Sequence, residues 1–84
     1  MDENKVYILL SSVFSDVFFR DDIILSPTLS AKDVDGWDSY KQVEIILCIE
    51  EKFGITLSSR EIDGLQCVGD LVRVIRGKLL KSGL

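Results

Sequence analysis

Apolar residues recur at intervals of three and four in three stretches of the chain, which is the spacing of one face of an α-helix. The stretches cover residues 5–19, residues 39–53 and a segment that begins near Val68. Gly54 follows the second stretch, and glycine readily adopts the left-handed conformation that ends many helices. The pattern therefore predicts three main helices.

A fourth predicted helix is short. Ser58 is followed three positions later by Glu61, the sequence of a capping box, and Gly64 ends the segment. Residues 20–38, between the first two helices, contain Pro27 and several turn-forming residues. The apolar residues of this long loop predict that it packs across the helices. The sum is an all-α bundle of three main helices plus one short helix, with a long loop between helices one and two.

The second helix carries two apolar stripes, and one helix of a small bundle cannot easily bury both. The first stripe is expected to face the core and consists of Ile45, Ile46, Ile49 and Phe53. The second stripe consists of Tyr40, Val43 and Leu47, with Glu44 and Glu51 as neighbours. It is a face for partner proteins, the lip of an internal pocket or further core packing, and the pattern alone leaves all three open.

Length and composition narrow the class of protein. We expect residues 1–84 to form one domain with a simple core, and 46% apolar with 29% charged residues is too hydrophobic for a disordered chain. No apolar run approaches the roughly 20 residues that a membrane span needs. The acidic amino terminus lacks the basic segment of a signal peptide. We therefore expect a monomeric, cytoplasmic protein.

Charge and the missing histidine argue against several kinds of chemistry. The net charge is −4, and residues 64–84 hold four basic residues and one acidic residue, so the acids lie in the earlier part of the chain. Repulsion from phosphates argues against nucleic-acid binding. The acidic middle favours partners with basic patches, although on charge alone a merely solvated acidic surface is the better interpretation. No histidine is present to complete a zinc site or a Cys–His dyad with Cys48 or Cys67. We predict neither a metal site nor catalytic residues.

Ser39 stands at the predicted start of the second helix. With Gln42 three positions later it fits a capping box, and Asp38 is an alternative cap for the same helix. A second use of the Ser39 hydroxyl needs no base in the chain itself. If another enzyme transfers a phosphate-containing group to it, the anion lies at a helix start, where free N–H groups and the helix dipole favour negative charge.

Four segments together resemble the acyl carrier protein family, and they extend over most of the chain. They are Gly-Trp-Asp-Ser-Tyr at residues 36–40, Val-Glu-Ile at 43–45, Glu-Glu-Lys-Phe-Gly-Ile at 50–55 and Val-Gly-Asp-Leu-Val at 68–72. The resemblance implies a helical bundle whose Ser39 is esterified by 4′-phosphopantetheine, donated from coenzyme A by a separate transferase. It also implies that Asp38 belongs to the motif that the transferase recognises. The thiol of the arm then carries acyl groups as thioesters.

In the family the second helix docks on partner enzymes, so the resemblance also implies a set of partner contacts. They are Tyr40, Val43, Glu44, Leu47 and Glu51. Apolar packing would anchor the partner while the carboxylates steer its basic residues. Tyr40 and Lys41 depart from the family, which commonly has an aliphatic residue and an acid at these positions. The departures concern the choice of partners rather than the modification.

The resulting hypothesis is a freestanding acyl carrier protein, not itself an enzyme, in fatty acid or specialised lipid or polyketide biosynthesis. Its expected partners are a phosphopantetheinyl transferase and acyl-transferring and acyl-modifying enzymes with basic docking patches. An aminoacyl or peptidyl carrier would share the fold and the arm but differ in cargo. A helical interaction module without the arm would use Ser39 only as a cap.

Overall fold

Residues 2–82, the range that the computed structural model describes, form four α-helices and one turn of 3-10 helix. The α-helices are α1 (Glu3–Phe18), α2 (Ser39–Phe53), α3 (Ser59–Asp63) and α4 (Val68–Ser82), and the 3-10 helix, Ala31–Asp33, lies in the long loop. No strand occurs in the described range. The predicted all-α bundle of three main helices plus one short helix is confirmed, and α2 has the predicted bounds.

The three long helices each bury one face in a shared core, where α1 packs against both α2 and α4. The largest fully buried side chains are Phe14, Leu10, Ile45, Ile49, Leu71 and Ile75. Ile46 and Phe53 are also buried, so the first α2 stripe faces the core as predicted. Burial of one such side chain contributes about 1.5–3 kcal/mol to stability. The core is therefore the main source of favourable free energy in this fold.

The two ends of α1 have different caps. At its start the Asp2 carboxylate accepts a hydrogen bond of 2.9 Å from the Lys5 N–H. At its end Phe19 adopts φ 55° and ψ 38°, the left-handed conformation that glycine usually supplies after a helix. Phe19 is the only residue other than glycine with a positive φ in the described range. This conformation costs a residue with a Cβ atom roughly 1–2 kcal/mol, so the chain leaves α1 through a strained residue.

The long loop between α1 and α2 is fastened to the start of α4. The Val68 N–H donates to the Leu29 carbonyl oxygen at 2.8 Å, and the Gly69 N–H donates to the Pro27 carbonyl oxygen at 2.9 Å. A Cβ atom on Gly69 would lie 2.9 Å from that Pro27 oxygen, so a larger residue would push the loop away. The loop thus satisfies N–H groups that have no partner inside the first turn of a helix. It packs across the helices as predicted.

The short helix α3 begins with the predicted capping box and is tied to α4. Ser58 Oγ accepts from the Glu61 N–H at 3.2 Å, and the Glu61 carboxylate accepts from the Ser58 N–H at 2.9 Å. Lys78 of α4 pairs with the same carboxylate at 2.9 Å. The pKa of Glu61 is about 2, well below its ordinary value of 4.5. The hydrogen bond from the Ser58 N–H is the largest cause of this lowering, and the bond from Lys78 is the next. The ionised carboxylate therefore links two helices.

Candidate functional site

Ser39 is the first residue of α2, and its hydroxyl does not cap the helix. Asp38 is the cap: its backbone is extended, and its carboxylate accepts the Lys41 N–H at 2.9 Å. The Ser39 side chain is exposed and makes no hydrogen bond to another residue of the described range. The predicted capping box of Ser39 and Gln42 is therefore wrong, because Ser39 already lies inside the helix. The alternative, Asp38 as the cap, is confirmed.

Gln42 binds the indole of Trp37 instead of a backbone N–H. Trp37 Nε1 donates to Gln42 Oε1 at 2.7 Å. The same indole packs edge-on against Phe14 and Phe18 of α1, with ring centroids 5.2 and 6.4 Å apart. Aromatic pairs of this geometry contribute about 0.5–1.5 kcal/mol beyond their buried area. Contacts with both α1 and α2 therefore fix the chain two residues before Ser39.

Lys41 connects the first turn of α2 to the last turn of α1. Its Nζ donates to the Val17 carbonyl oxygen at 3.3 Å and lies 3.7 Å from Glu44 Oε1. A cation is favourable there because the last carbonyl groups of a helix have no helical partner and carry partial negative charge. Nothing in the local sequence pattern indicates this contact across 24 positions. Lys41 therefore has a structural role at this corner that the sequence did not predict.

The second α2 stripe lies on the surface. Tyr40, Val43 and Leu47 expose 72%, 57% and 59% of their area. Glu51 beside them is exposed and Glu44 is partly exposed. Core packing, one of the three interpretations of this stripe, is therefore wrong. The structure brings all five predicted partner residues onto the exposed side of one helix that begins at Ser39, and we name these five residues the docking face.

The start of α2 fits a phosphate bonded to the Ser39 oxygen. The N–H groups of Ser39 and Tyr40 make no hydrogen bond within residues 2–82. Such N–H groups and the helix dipole favour an anion. The Asp38 carboxylate, which lies at the same helix start, opposes an anion by like-charge repulsion. A phosphate held by a covalent bond is therefore better suited to this position than one captured free from solution.

The two cysteines show no sign of reactive or metal-binding chemistry. Cys48 and Cys67 are free thiols, and both are partly buried. Burial raises the pKa of the Cys48 thiol, which disfavours the reactive thiolate. In the part of the chain that the structure describes, no group of Cys, Asp or Glu side chains is arranged to hold a metal ion. None of the helices in that part is both long and apolar enough to cross a membrane.

Comparison with known proteins decides the family. A family model described as the phosphopantetheine attachment site matches residues 10–75, which include Ser39 and all of α2. The chain belongs to the acyl carrier protein family. The acyl carrier protein of Exiguobacterium sp. is 28% identical over 79 residues, or 94% of this chain and 100% of that protein. The acyl carrier protein of Wolinella succinogenes is 42% identical over 40 residues, 48% of this chain and 53% of that one.

A solved structure shares the fold of this carrier chain. The solution structure of the holo acyl carrier protein from Geobacter metallireducens matches with a TM-score of 0.85 and 33% identity, over 90% of this chain and 87% of that one. Family membership implies a 4′-phosphopantetheine prosthetic group and the role of a carrier rather than an enzyme. It also implies interaction with a phosphopantetheinyl transferase and with acyl-handling enzymes. The predicted family and cofactor are confirmed.

Proposed function

We propose that Ser39 carries the 4′-phosphopantetheine arm and that the chain transports acyl groups as thioesters. The observation that carries this proposal is the exposed Ser39 hydroxyl, which makes no hydrogen bond within the described residues because Asp38 caps the helix instead. A hydroxyl that the fold does not use remains available to an external enzyme. The arm, when attached, supplies the thiol that exchanges acyl groups with partner enzymes.

Attachment requires little chemistry from the chain itself. The Ser39 oxygen forms a bond to the phosphorus next to pantetheine in coenzyme A, the bond from that phosphorus to the bridging oxygen breaks, and adenosine 3′,5′-bisphosphate leaves. The hydroxyl proton passes to a base of the transferase, since the chain has no histidine to accept it. Asp38 keeps the first turn of α2 formed, and we assign its carboxylate to recognition by the transferase.

The docking face of α2 is the surface that we assign to partner enzymes with basic patches. Tyr40, Val43 and Leu47 supply exposed apolar area, which anchors a partner when it is desolvated. Glu44 and Glu51 supply negative charge, which steers a basic surface during approach. Because the face begins directly after Ser39, a partner bound to it lies next to the proposed root of the arm.

The biological setting is also part of this proposal. The acidic docking face and the aspartate before Ser39 favour acyl cargo over aminoacyl or peptidyl cargo, so we propose fatty acid or specialised lipid or polyketide biosynthesis. We further propose that residues 1–84 act as one carrier domain and as a monomer. Coenzyme A, the donor of the arm, is available in the cytoplasm, and we place the protein there.

Coexpression with a promiscuous phosphopantetheinyl transferase, followed by intact mass measurement, tests the attachment. Wild type should gain the mass of one arm, and Ser39→Ala should gain none. Because Asp38 provides the cap, Ser39→Ala should also unfold at the wild-type temperature, which separates loss of the attachment site from loss of the fold. A wild-type protein that stays unmodified would overturn the proposal.

The cargo needs a second measurement on the modified protein. For an acyl carrier, we expect an acyl-carrier synthetase to load an acyl group onto the thiol of the arm. Aminoacyl-adenylating domains should not load the arm. The reverse preference would assign the chain to the aminoacyl or peptidyl carriers while leaving the attachment at Ser39 intact.

A further inference from the structure

We propose that Phe19 is a contact for the phosphopantetheinyl transferase, which therefore docks on the end of α1 as well as on α2. The inference rests on the proposed attachment at Ser39 and names a further surface for that same enzyme. Its starting point is an unusual residue: the Phe19 side chain is 87% exposed, and its backbone has a φ of 55°.

The fold gives no reason for a phenylalanine at this position. Phe19 lies outside the hydrophobic core and makes no ring contact with another residue of the described range. Glycine adopts this backbone conformation without the steric cost and would expose no aromatic ring to water. Residues held in sparsely populated backbone conformations are concentrated at functional sites. An exposed and strained aromatic residue is therefore a candidate for a contact outside the chain.

Two observations place Phe19 at the same corner as the attachment serine. Lys41, in the first turn of α2, donates to the carbonyl oxygen of Val17, which lies two residues before Phe19. On the other side, Arg20 lines a surface hollow together with Asp35 of the loop that leads into α2. Val17, two residues before Phe19, thus contacts the first turn of α2, and Arg20, directly after Phe19, lies beside the loop that leads into α2.

The geometry of the attachment step favours the transferase over other partners. This enzyme has to bring coenzyme A within bonding distance of the Ser39 oxygen, so its surface must cover the start of α2 and reach the adjoining end of α1. An enzyme that acts on the thiol at the far end of the arm is under no such constraint. Phe19 is therefore best placed for the partner that works at the serine itself.

The charges around Phe19 indicate what kind of surface fits. Asp35 and Asp38 give this corner negative charge, whereas the charge of Glu44 is compensated by Lys41, whose Nζ lies 3.7 Å from Glu44 Oε1. The cation nearest in sequence, Arg20, is paired with Asp22 at 2.9 Å, so its charge is compensated. A complementary partner surface combines basic residues with an apolar cleft that takes the phenyl ring.

Arm transfer kinetics on the full chain test this contact, with the transferase that modifies wild type. Phe19→Asn should lower kcat/KM for transfer about tenfold, chiefly through KM, as loss of an aromatic hot spot does. Its thermal unfolding temperature should not fall, because asparagine tolerates the left-handed conformation. Phe19→Tyr should keep the wild-type rate. Leu80→Asn is the matched control: Leu80 is 81% exposed and lies beside the start of α1 rather than its end, so its loss should leave transfer unchanged.

Each other outcome has a definite meaning. A Phe19→Asn protein with the wild-type rate, or an equal loss in Leu80→Asn, overturns the contact and leaves attachment at Ser39 intact. A rate loss that only follows a lower unfolding temperature assigns Phe19 a structural role and also overturns the contact. A wild-type chain that accepts no arm overturns the proposed function and this inference together.

Discussion

At the scale of single residues, Asp38 takes the capping role that the sequence assigns equally well to Ser39. Both residue types are good helix caps, so a pattern of residue types cannot separate two neighbours. The backbone separates them: Asp38 is extended, with φ −118° and ψ −170°, and Ser39 is the first helical residue. Gln42 was assigned to the wrong partner because its bond to Trp37 depends on the path of the loop. Residue types were sufficient to predict a capped helix start here, whereas the partner of each side chain depends on the path of the chain in three dimensions.

The double role of Asp38, as cap and as recognition residue, is separable by substitution. Asp38→Ala should lower the free energy of unfolding by about 1 kcal/mol, the usual cost of losing a cap. Asp38→Asn should keep the cap and most of the stability but lose the carboxylate. If the transferase recognises that charge, both variants should accept the arm more slowly than wild type. Urea unfolding and transfer kinetics measure the two effects.

The asparagine variant decides between the two roles of Asp38. If the Asp38→Asn protein accepts the arm at the wild-type rate, only the cap matters, and Asp38 is not part of the surface that the transferase recognises.

At the scale of helices and loops, features set by contacts between residues close in sequence were predicted correctly, and features set by contacts between distant residues were not. The bounds of α2 are set locally, by the Asp38 cap and by Gly54 with a φ of 66°, and they were predicted correctly. The path of residues 20–38 is set by the bonds of Pro27 and Leu29 to the start of α4, about 40 positions further on. The sequence could show that the loop packs, but it could not show where.

The short helix α3 gives the bundle a pH-dependent element. The pKa of Glu61 is about 2 in the folded protein and returns toward its ordinary value of 4.5 on unfolding. Because the folded-state pKa is the lower one, its contribution to stability is complete above about pH 4.5 and is lost as the pH falls toward about 2. Wild type should therefore lose more stability across this window than Glu61→Gln, whose amide can keep the capping bond to Ser58 but does not titrate.

Denaturant midpoints measured for both proteins between pH 6 and pH 2 would show this difference. The two proteins have every other acidic residue in common, so the difference between their curves reports on Glu61 alone. Parallel curves for wild type and Glu61→Gln would mean that the carboxylate has similar pKa values in the folded and unfolded states.

At the scale of the whole molecule, charge is divided along the chain. Residues 64–84, most of them in α4, hold four basic residues and one acidic residue, although the net charge of the chain is −4. The docking face of α2 contributes Glu44 and Glu51 to the acidic part. If basic partners bind the docking face as proposed, such a division would orient the molecule before contact so that α2 approaches first.

Electrostatic steering predicts a salt-dependent rate for arm transfer. The double variant Glu44→Gln with Glu51→Gln should lower kcat/KM at low ionic strength and reduce its dependence on added salt, because the steering charges are lost. The double variant Glu3→Gln with Asp63→Asn, whose sites lie on α1 and α3, removes the same total charge and should have a much smaller effect. Transfer kinetics across a salt series compare the two. Equal effects would assign the steering to net charge rather than to the docking face.

Trp37 gives the molecule a built-in optical signal. It is the only tryptophan of the chain, and its indole N–H donates to Gln42 at the turn into α2. Indole emission changes with hydration and hydrogen bonding, so fluorescence from this one ring reports on the environment two residues from Ser39. If the arm is attached at Ser39 as proposed, we expect its attachment and the arrival of a partner at α2 to change this emission on the unlabelled protein.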